Sequence, residues 1–397
     1  MSLSTLPLCY CTNVHAAQTV EEVLNGLTQY TVPVKTNYGS ELAAGLWLAK
    51  PVTDEILQNP AGIARFSAEL ANRELTCHTL NAFPYGNFHS DRVKEQVYLP
   101  DWSSAERLQY TYDCARILAG ILPDGREGSI STVPLGFKQF EYNDSFEQEA
   151  ISQLLQLARQ LDELHDETGR VIRLAIEPEP FCLLETTEET LAFFEKLYRA
   201  ASEENLLDEA KRHLGVCYDV CHQSIEFEDV AASIAKLEQQ DIRINKVHIT
   251  CAIEIKNPGE HADLREVLSR YVEPRYLHQT LARSSTGQVE RLVDLTKKFA
   301  LTPPTEFAEA EVWRVHYHVP VNAEQVGPLG TTRHDLRAAL EAVYKLPYAP
   351  HLEVETYTWD VMPEKQIDLV EGLTTELTAT RKLLGSIRLA QTNMIIS

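Results

Sequence analysis

Five short apolar runs, each ending in acidic or imidazole side chains, constrain the fold of this chain most strongly. They occupy residues 173–180, 215–222, 244–250, 312–319 and 351–357. Each run has the length and composition of a buried strand. Parallel strands whose C-terminal ends carry Glu, Asp and His are typical of a (β/α)8 barrel, because these ends build the site at one mouth of the barrel. The pattern therefore predicts such a barrel with a metal site at that mouth.

The remaining chain alternates between strand-like and helix-like segments. Further strands are predicted at 8–14, 42–48, 75–81 and 128–135, and helices at 59–70, 103–122, 146–164, 229–239 and 365–388, with others starting near Thr19 and Thr187. This alternation predicts βα units and a parallel sheet. No glycine-rich phosphate loop follows any strand, so the pattern does not favour a doubly wound nucleotide-binding sheet.

The length of 397 residues suits one large barrel, so we predict a single TIM-barrel domain over residues 1–397. The strand count leaves one choice open, because 244–250 and 312–319 compete for one barrel position. The regular spacing after the preceding strand favours 244–250. Residues 252–311 are then predicted to form an insertion, with helical character at 276–282.

Charge and cysteine content restrict the partners and the compartment. The net charge of -22 argues against a nucleic-acid or anionic membrane surface, since both need clustered Lys and Arg. No apolar run approaches the roughly 18 residues of a membrane span, and no signal peptide is recognised. Eight scattered cysteines without a CxxC pair indicate a reducing compartment, and we predict a cytoplasmic protein.

Glu177 and Glu179 lie one residue apart, so in an extended chain they face the same side. A carboxylate at the end of an apolar strand is costly to bury unless it is paired or binds a metal. The alternative is that Glu177 simply emerges into solvent. We predict Glu177 as a metal ligand and catalytic carboxylate, and Glu179 as a substrate-binding residue.

Asp219 and His222 form an Asp-x-x-His turn directly after a predicted strand. Both can point to the barrel mouth, as a metal ligand and a catalytic residue respectively. The alternative is a helix-capping Asp with a surface His. The capping pattern near 226–229 predicts a later helix start, which makes this alternative less favoured.

Three further histidines compete for a place in the site. His248 lies within an apolar strand, where a hydrogen-bonded core histidine is the alternative. His316 and His318 share one face of a strand, an arrangement with several metal or substrate uses. We predict His248 and His318 as metal ligands and His316 as a substrate-binding residue, while leaving open which histidine completes the site.

Glu353 and Glu355 repeat the spacing of the first carboxylate pair. Glu355 lies nearer the C-terminal end of its strand, so we predict it as a metal ligand and catalytic residue. Glu353 is expected deeper, paired with Lys or Arg. Mixed carboxylate and imidazole ligands suit a divalent metal (Mn, Zn, Co, Mg or Fe) without selecting one.

The loop at residues 82–89 is aromatic and contains Gly and Pro. Loops after barrel strands usually build the substrate pocket, so we predict that Phe83, Tyr85 and His89 bind substrate. A packed corner is an equally favoured alternative.

The order Glu, Asp-x-x-His, His, Glu resembles the xylose-isomerase-like TIM barrels over about residues 8–388. This superfamily contains sugar isomerases, ketose 3-epimerases and phosphodiesterases of the endonuclease IV type. The resemblance implies Glu177, Asp219, Glu355 and either His248 or one of His316 and His318 as ligands. It implies His222 as the histidine of the Asp-x-x-His motif.

The chain is also similar to the EboE family of metabolite traffic proteins from bacterial ebo gene clusters. The similarity lies in residues 10–15, 81–89, 97–102, 130–134, 276–279, 315–320 and 352–359. It implies a small-molecule pathway, with cyclitol-synthase, prenyltransferase and hydrolase genes as neighbours and pathway proteins as partners. The region 252–320 departs from the pattern of the simpler epimerases.

Three functions follow as hypotheses. The first is a metal-dependent isomerase or epimerase of a sugar or cyclitol, in which Glu177 and Glu355 move a proton through an enediolate. The second is a phosphoester hydrolase with a further metal bound by His316, His318 and Glu179. The third is a metabolite-binding protein without catalysis.

Overall fold

Eight parallel strands close into a barrel. The structure, a computed structural model, describes residues 3–4, 6–363 and 367–396, with the backbone alone for 391–396. The barrel strands are β1 (Leu8–Cys11), β2 (Leu42–Trp47), β3 (Thr76–Asn81), β4 (Gly128–Thr132), β5 (Ile172–Ile176), β6 (Leu214–Asp219), β7 (Ile244–Ile249) and β14 (His351–Val354). They follow one another around the barrel in this order, and β14 pairs with β1 to close it. The predicted (β/α)8 fold is confirmed.

Helices alternate with the barrel strands and surround them. They are α1 (Val20–Gly26), α2 (Val32–Tyr38), α3 (Lys50–Gln58), α4 (Gly62–Asn72), α5 (Ala105–Ile121), α6 (Phe146–Thr168), α7 (Thr187–Glu203), α8 (Leu207–His213), α9 (Val220–Ile225), α10 (Val230–Gln239), α14 (Arg333–Val343) and α15 (Leu369–Ile396). Three short helices, α11 (Ala262–Leu268), α12 (Lys297–Leu301) and α13 (Thr305–Ala308), lie in the inserted region between β7 and β14. Capping boxes formed by Thr19 and Thr186 start α1 and α7, since each threonine hydroxyl accepts from a backbone N–H of the first turn. The last helix, α15, packs against α2 and completes the outer ring.

A second sheet lies in the chain between β7 and β14. Its strands are β8 (Ile253–Lys256), β9 (Thr280–Arg283), β10 (Val289–Leu292), β11 (Val312–Val315), β12 (Gln325–Val326) and β13 (Leu329–Thr331). Their order is β10-β9-β11-β8-β13-β12, and every pairing is antiparallel. Residues 244–250 therefore supply the barrel strand, as predicted, whereas 312–319 contribute β11 to the added sheet.

Two predictions about this region are corrected. The added sheet continues past residue 311, because β11, β12 and β13 all lie beyond it. Residues 276–282 are not helical: 276–279 are irregular, and β9 begins at Thr280. The apolar spacing there is compatible with a helix, but pairing of β9 with β10 and β11 satisfies its backbone groups instead.

Arg314 on β11 ties the added sheet to the barrel. Its guanidinium lies 2.9 Å from Glu254 Oε2 on β8 and 2.9 Å from Asp335 Oδ2 on α14. It also donates to the carbonyl oxygen of Ser224 on α9 at 2.6 Å. Residues 316–318 follow β11 directly, so this anchor holds them over the C-terminal mouth of the barrel.

Two further features concern the cysteines and the helices. All eight cysteines are buried and free. Among the described residues, no helix is both long and apolar enough to cross a membrane.

Candidate metal centre

Four ligand-type side chains converge at the C-terminal mouth of the barrel. Glu177 follows β5, Asp219 ends β6, His248 lies in β7 and Glu355 follows β14. His248 Nδ1 lies 2.9 Å from Glu177 Oε1, 3.2 Å from Glu355 Oε2 and 3.6 Å from Asp219 Oδ2. All four side chains are buried. The structure thus groups His248, rather than His318, with the three carboxylates.

This group has the unsatisfied oxygens that a cation would engage. Glu177 Oε2 and Asp219 Oδ2 are buried and have no hydrogen-bond partner among the described residues. Buried carboxylate oxygens without partners are costly. Neighbouring ligands of an octahedral ion with bonds of about 2.1 Å are about 3.0 Å apart. The residues present therefore fit a divalent metal, with three carboxylates and one imidazole as donors.

Glu353 and Lys246 support His248 from within the barrel. His248 Nε2 lies 3.0 Å from Glu353 Oε2 and donates to it, which leaves Nδ1 facing the carboxylates. Lys246 Nζ lies 2.7 Å from the same oxygen, and both charged side chains are fully buried. Burial alone would raise the pKa of Glu353, but Lys246 and His248 hold it below its ordinary value. Glu353 is therefore the deeper, paired carboxylate that the spacing predicted.

Two asparagines fix the orientation of Glu355. Asn13 Nδ2 and Asn81 Nδ2 each donate to Glu355 Oε1 at 2.9 Å. Burial opposes ionisation, but His248 outweighs it and lowers the pKa of Glu355 to about 2. Neither asparagine is recognisable as a site residue from its local sequence, although Asn81 ends β3 and Asn13 follows β1, the positions where barrel sites are built.

Asp219 caps a helix and also faces the metal centre. Its Oδ1 accepts from the backbone N–H of His222 at 3.0 Å and from Thr250 Oγ1 at 2.8 Å. Helix α9 thus starts directly after Asp219, so the disfavoured alternative of a capping Asp is correct, while the helix start predicted near 226–229 is that of α10, which Asp229 caps. The short turn from β6 into α9 satisfies the cap immediately. His222 is nevertheless buried, not on the surface.

The buried carboxylates and His248 shift one another's pKa values. Burial, reinforced by Glu355 and Asp219, raises the pKa of Glu177 to about 7 against the opposing effect of His248. Burial disfavours a charged His248, yet Cys217 and the carboxylates of Glu177 and Glu355 raise its pKa well above the ordinary value. Without a metal, the cluster therefore attracts a proton to the position that a cation would neutralise.

A pocket opens above the centre. Phe83, Glu179 and His316 line it, as do Glu177, His222, His318 and Glu355. Tyr85 and His89 are not among the described residues that line it. The ring of Tyr85 packs against Tyr110, with centroids 5.0 Å apart, and His89 Nε2 bonds to the carbonyl oxygen of Asn13 at 2.7 Å. Tyr85 instead lines a separate surface pocket formed by residues 84–99.

Glu179 lies on the pocket wall in a small hydrogen-bonded cluster. Tyr98 Oη donates to Glu179 Oε1 at 2.6 Å, and Gln279 Nε2 donates to it at 3.1 Å. Burial raises the pKa of Glu179 to about 8. Tyr98 and Gln279 were not recognised from the sequence, because they come from a 3₁₀ turn and from the added sheet region, whose placement depends on contacts distant in the chain.

The other predicted histidines gather beside the four-residue group. His222 Nε2 and His318 Nε2 each lie 3.2 Å from His316 Nε2. Ligand atoms of Asp219, His222 and His318 lie within 4.8 Å of one another. His318 therefore belongs to a second cluster that adjoins the first at Asp219.

Comparisons with known proteins bear on the fold. No model of a protein family matches the chain, and no curated protein matches it. Among solved structures, an L-ribulose 3-epimerase is 14% identical, with 98% of this chain and 97% of that one covered and a TM-score of 0.52. A xylose isomerase-like TIM barrel protein from Mycobacterium smegmatis, in complex with magnesium, is 12% identical, with 98% and 99% covered and a TM-score of 0.54. The chain thus has the fold of a xylose-isomerase-like (β/α)8 TIM barrel.

Proposed function

We propose that this protein is a divalent-metal-dependent isomerase or epimerase of a small sugar or cyclitol. The observation that carries the proposal is the convergence of Glu177, Asp219, Glu355 and His248 Nδ1 beneath a pocket, where two carboxylate oxygens have no hydrogen-bond partner among the described residues. The names of the two similar structures, one an epimerase and one solved with magnesium, are in line with it.

The four residues would hold the metal, and each has a distinct support. Asp219 is fixed by its helix cap, Glu355 by two asparagines and His248 by Glu353. A divalent cation bound there would draw electrons from the adjacent oxygens of a hydroxy-ketone and acidify the C–H bond between them. Mn²⁺, Mg²⁺ and Co²⁺ suit this oxygen-rich donor set, with Zn²⁺ and Fe²⁺ as alternatives.

We assign proton removal to Glu177. Glu177 lines the pocket above the centre, so its carboxylate can accept a proton from a substrate bound there. Proton removal from the substrate gives an enediolate, and return to the neighbouring carbon or to the other face gives the isomer or the epimer. Glu355, held anionic, is the second carboxylate, which we assign to the opposite face in an epimerisation.

The pocket wall supplies groups that would orient a polyol. Glu179 keeps its proton near neutral pH, so its carboxyl group can donate a hydrogen bond to a substrate oxygen. His222 lines the same pocket and offers an imidazole nitrogen. Phe83, Tyr276 and Tyr357 provide the apolar surface that sugar rings pack against.

On the sequence similarity described above, we also propose that the chain belongs to the EboE family. Its substrate would then come from a small-molecule pathway with a cyclitol-synthase step, and its partners would be pathway proteins. A cytoplasmic location is in keeping with eight unpaired cysteines.

Metal analysis followed by proton exchange tests the proposal. Purified protein should contain a divalent metal, and Asp219→Asn should lose metal affinity while keeping the cap, because Asn caps helices as well as Asp does. The matched Asp219→Ala variant should lose both the metal and about 1 kcal/mol of stability. Metal-loaded protein in D₂O should incorporate deuterium into one member of a panel of ketoses and inososes, and Glu177→Gln should not. A metal-loaded protein that exchanges no proton on any of these compounds would contradict the isomerase and favour metabolite binding.

Phosphoester hydrolysis is the second candidate. The observation that favours it is the histidine cluster beside the first centre, which could bind a further metal. The pocket weighs against it, because Lys94 is the one Lys or Arg among the described residues lining the pocket, and it already pairs with Asp294 at 2.6 Å. Turnover of bis(p-nitrophenyl) phosphate that is lost in Glu177→Gln would move the assignment to a hydrolase.

A further inference from the structure

Asn13 and Asn81 make the same contact with Glu355. Each donates from Nδ2 to Glu355 Oε1, and both distances are 2.9 Å. A carboxylate oxygen can only accept, so the NH₂ end of each amide faces Glu355. This contact fixes the orientation of both amides, and the Oδ1 atom of each asparagine therefore faces away from the carboxylate.

The two amide oxygens differ in their surroundings. Asn81 Oδ1 accepts from the backbone N–H of Phe83 at 2.9 Å. Asn13 Oδ1 is buried and has no hydrogen-bond partner among the described residues. A buried amide oxygen without a partner destabilises the folded chain, and nearly all such groups in proteins are hydrogen-bonded. Asn13 therefore carries an acceptor that the fold itself does not use.

This acceptor belongs to a residue of the pocket wall. Asn13 borders the pocket above the metal centre and is only 2% exposed. Among the described residues that border this pocket, Asn13 and Glu177 alone have a buried side-chain oxygen without a hydrogen-bond partner. The oxygen of Glu177 belongs to the four-residue group that fits a metal. The oxygen of Asn13 is the one that this group does not explain.

The position of Asn13 is fixed from two directions. It lies in the 3₁₀ turn Thr12–Val14, directly after β1. Its backbone carbonyl oxygen accepts from His89 Nε2 at 2.7 Å, while its side chain is held by Glu355. The free oxygen is thus preorganised, so a ligand that binds to it does not have to order the side chain first.

We propose that Asn13 Oδ1 accepts a hydrogen bond from a hydroxyl group of the substrate and selects polyols that carry this group over their deoxy analogues. The inference rests on the proposed function, whose substrate class it narrows. This hydroxyl is distinct from the oxygens that a metal would engage, because the amide of Asn13 and the carboxylate of Glu355 separate it from the centre. An analogue without the hydroxyl leaves the amide oxygen buried and unpaired, which is the basis of discrimination at such sites.

Binding of deoxy analogues tests the proposal, with Asn81→Ala as the matched control. Mn²⁺-loaded protein is titrated calorimetrically with myo-inositol, D-fructose and their monodeoxy analogues. One deoxy analogue should bind the wild-type protein about 2- to 12-fold more weakly than its parent, the range for one hydrogen bond. The difference should vanish in Asn13→Ala and persist in Asn81→Ala. Both variants lose one contact with Glu355, so weaker Mn²⁺ binding should appear in both and does not explain a difference between them.

A structural measurement covers the case in which Asn13→Ala does not fold. Wild-type crystals with Mn²⁺, soaked in concentrated myo-inositol or D-fructose, should show a hydroxyl oxygen about 2.5–3.0 Å from Asn13 Oδ1. A pocket that takes up neither compound, or a bound compound without this contact, would overturn the proposal. So would a deoxy analogue that is discriminated equally by the wild-type protein and Asn13→Ala.

The two proposals fail in different ways. A polyol that contacts Asn13 Oδ1 but exchanges no proton in D₂O would contradict the isomerase and leave the role of Asn13 intact. Proton exchange on a ketose or inosose that makes no contact with Asn13 would contradict the role of Asn13 alone.

Discussion

Lys246 and Glu353 form a fully buried ion pair beneath the candidate metal centre, at 2.7 Å. Taking two charges out of water costs several kcal/mol per ion, so such a pair rarely exists for stability alone. Here Glu353 also accepts from His248 Nε2, which fixes the tautomer that leaves Nδ1 free for a metal. The ion pair therefore serves the site through His248, and Lys246 and Glu353 are positioning residues.

The Glu353→Gln substitution should expose this dependence. It leaves the ammonium group of Lys246 buried without a counter-charge, so we expect a loss of about 3–5 kcal/mol in the free energy of unfolding. Metal affinity should fall about 10- to 100-fold, because the supporting carboxylate is lost. Urea unfolding and a Mn²⁺ titration measure the two effects.

The double variant Lys246→Met/Glu353→Gln is the control for that experiment. Removing both charges should restore most of the stability but not the metal affinity. A single variant as stable as the wild-type protein would show that the buried charge of Lys246 does not need Glu353.

Glu179 predicts a pH dependence of stability in the metal-stripped protein. Burial raises its pKa to about 8 in the folded state, against about 4.3 in an unfolded chain. Between these values the folded state holds a proton that the unfolded state has released, so stability falls as pH rises, by up to about 1.4 kcal/mol per pH unit. Glu179→Gln removes this contribution. The variant should therefore gain stability relative to the wild-type protein between about pH 5 and pH 8. Parallel urea-unfolding profiles for the two proteins would contradict the raised pKa.

At the scale of elements, the barrel strands carry the residues of the site and leave space for their side chains. Gly45 on β2 is an example, because a Cβ atom there would lie 1.8 Å from Glu353 Oε1 and 2.8 Å from the backbone oxygen of Tyr10. The position therefore has to be glycine for reasons of space, since the carboxylate of Glu353 occupies the volume that a side chain would fill.

Gly45→Ala should consequently displace Glu353. We expect a loss of about 1–3 kcal/mol in the free energy of unfolding, the usual cost of overpacking a core, together with weaker metal binding. Gly86→Ala is the matched control, because a Cβ atom there meets nothing within 4 Å. Its effect should stay within about 0.5 kcal/mol. Equal stability of the two variants in chemical denaturation would show that β2 tolerates the methyl group.

The elements also show what the sequence could and could not predict. Barrel strands were recognisable because their apolar runs and acidic ends are local features, and Glu177, Asp219 and Glu355 follow directly from them. The prediction of a helix at 276–282 was wrong because β9 forms its hydrogen bonds with β10 and β11. The spacing of apolar residues within one segment does not show which other segments it pairs with. Asn13 and Asn81 lie at strand ends where site residues are expected, but they were not predicted as site residues, because a neutral amide is common in turns.

At the scale of the whole molecule, the added sheet completes the site. Its strand β11 leads into His316 and His318, and its Gln279 orients His316. The sequence could not decide whether His248 or the pair His316 and His318 supplies the metal ligand. All three lie at the mouth, His248 within the barrel and the other two above it. The structure shows two neighbouring clusters that adjoin at Asp219.

The anchor Arg314 tests whether the added sheet and the barrel act as one unit. Its guanidinium contacts Glu254 and Asp335 at 2.9 Å each and donates to Ser224 on α9, the helix that carries His222. Arg314→Met leaves two carboxylates without this partner, so we expect a loss of about 3–5 kcal/mol. The segment that carries His316 and His318 should then be held less firmly against α9, while Mn²⁺ affinity at the carboxylate centre should change little.

Hydrogen exchange locates the effect. In Arg314→Met, residues 312–319 and 219–225 should exchange faster than in the wild-type protein, while β2 and β3 exchange as before. Arg337→Met is the control, because Arg337 is exposed and its ion pair with Glu341, at 3.5 Å, is a surface contact worth less than about 1 kcal/mol. If Arg314→Met made the whole barrel exchange faster, the added sheet would be part of the barrel's general stability. Faster exchange confined to the two segments would make Arg314 the local anchor of the histidine-bearing part of the mouth.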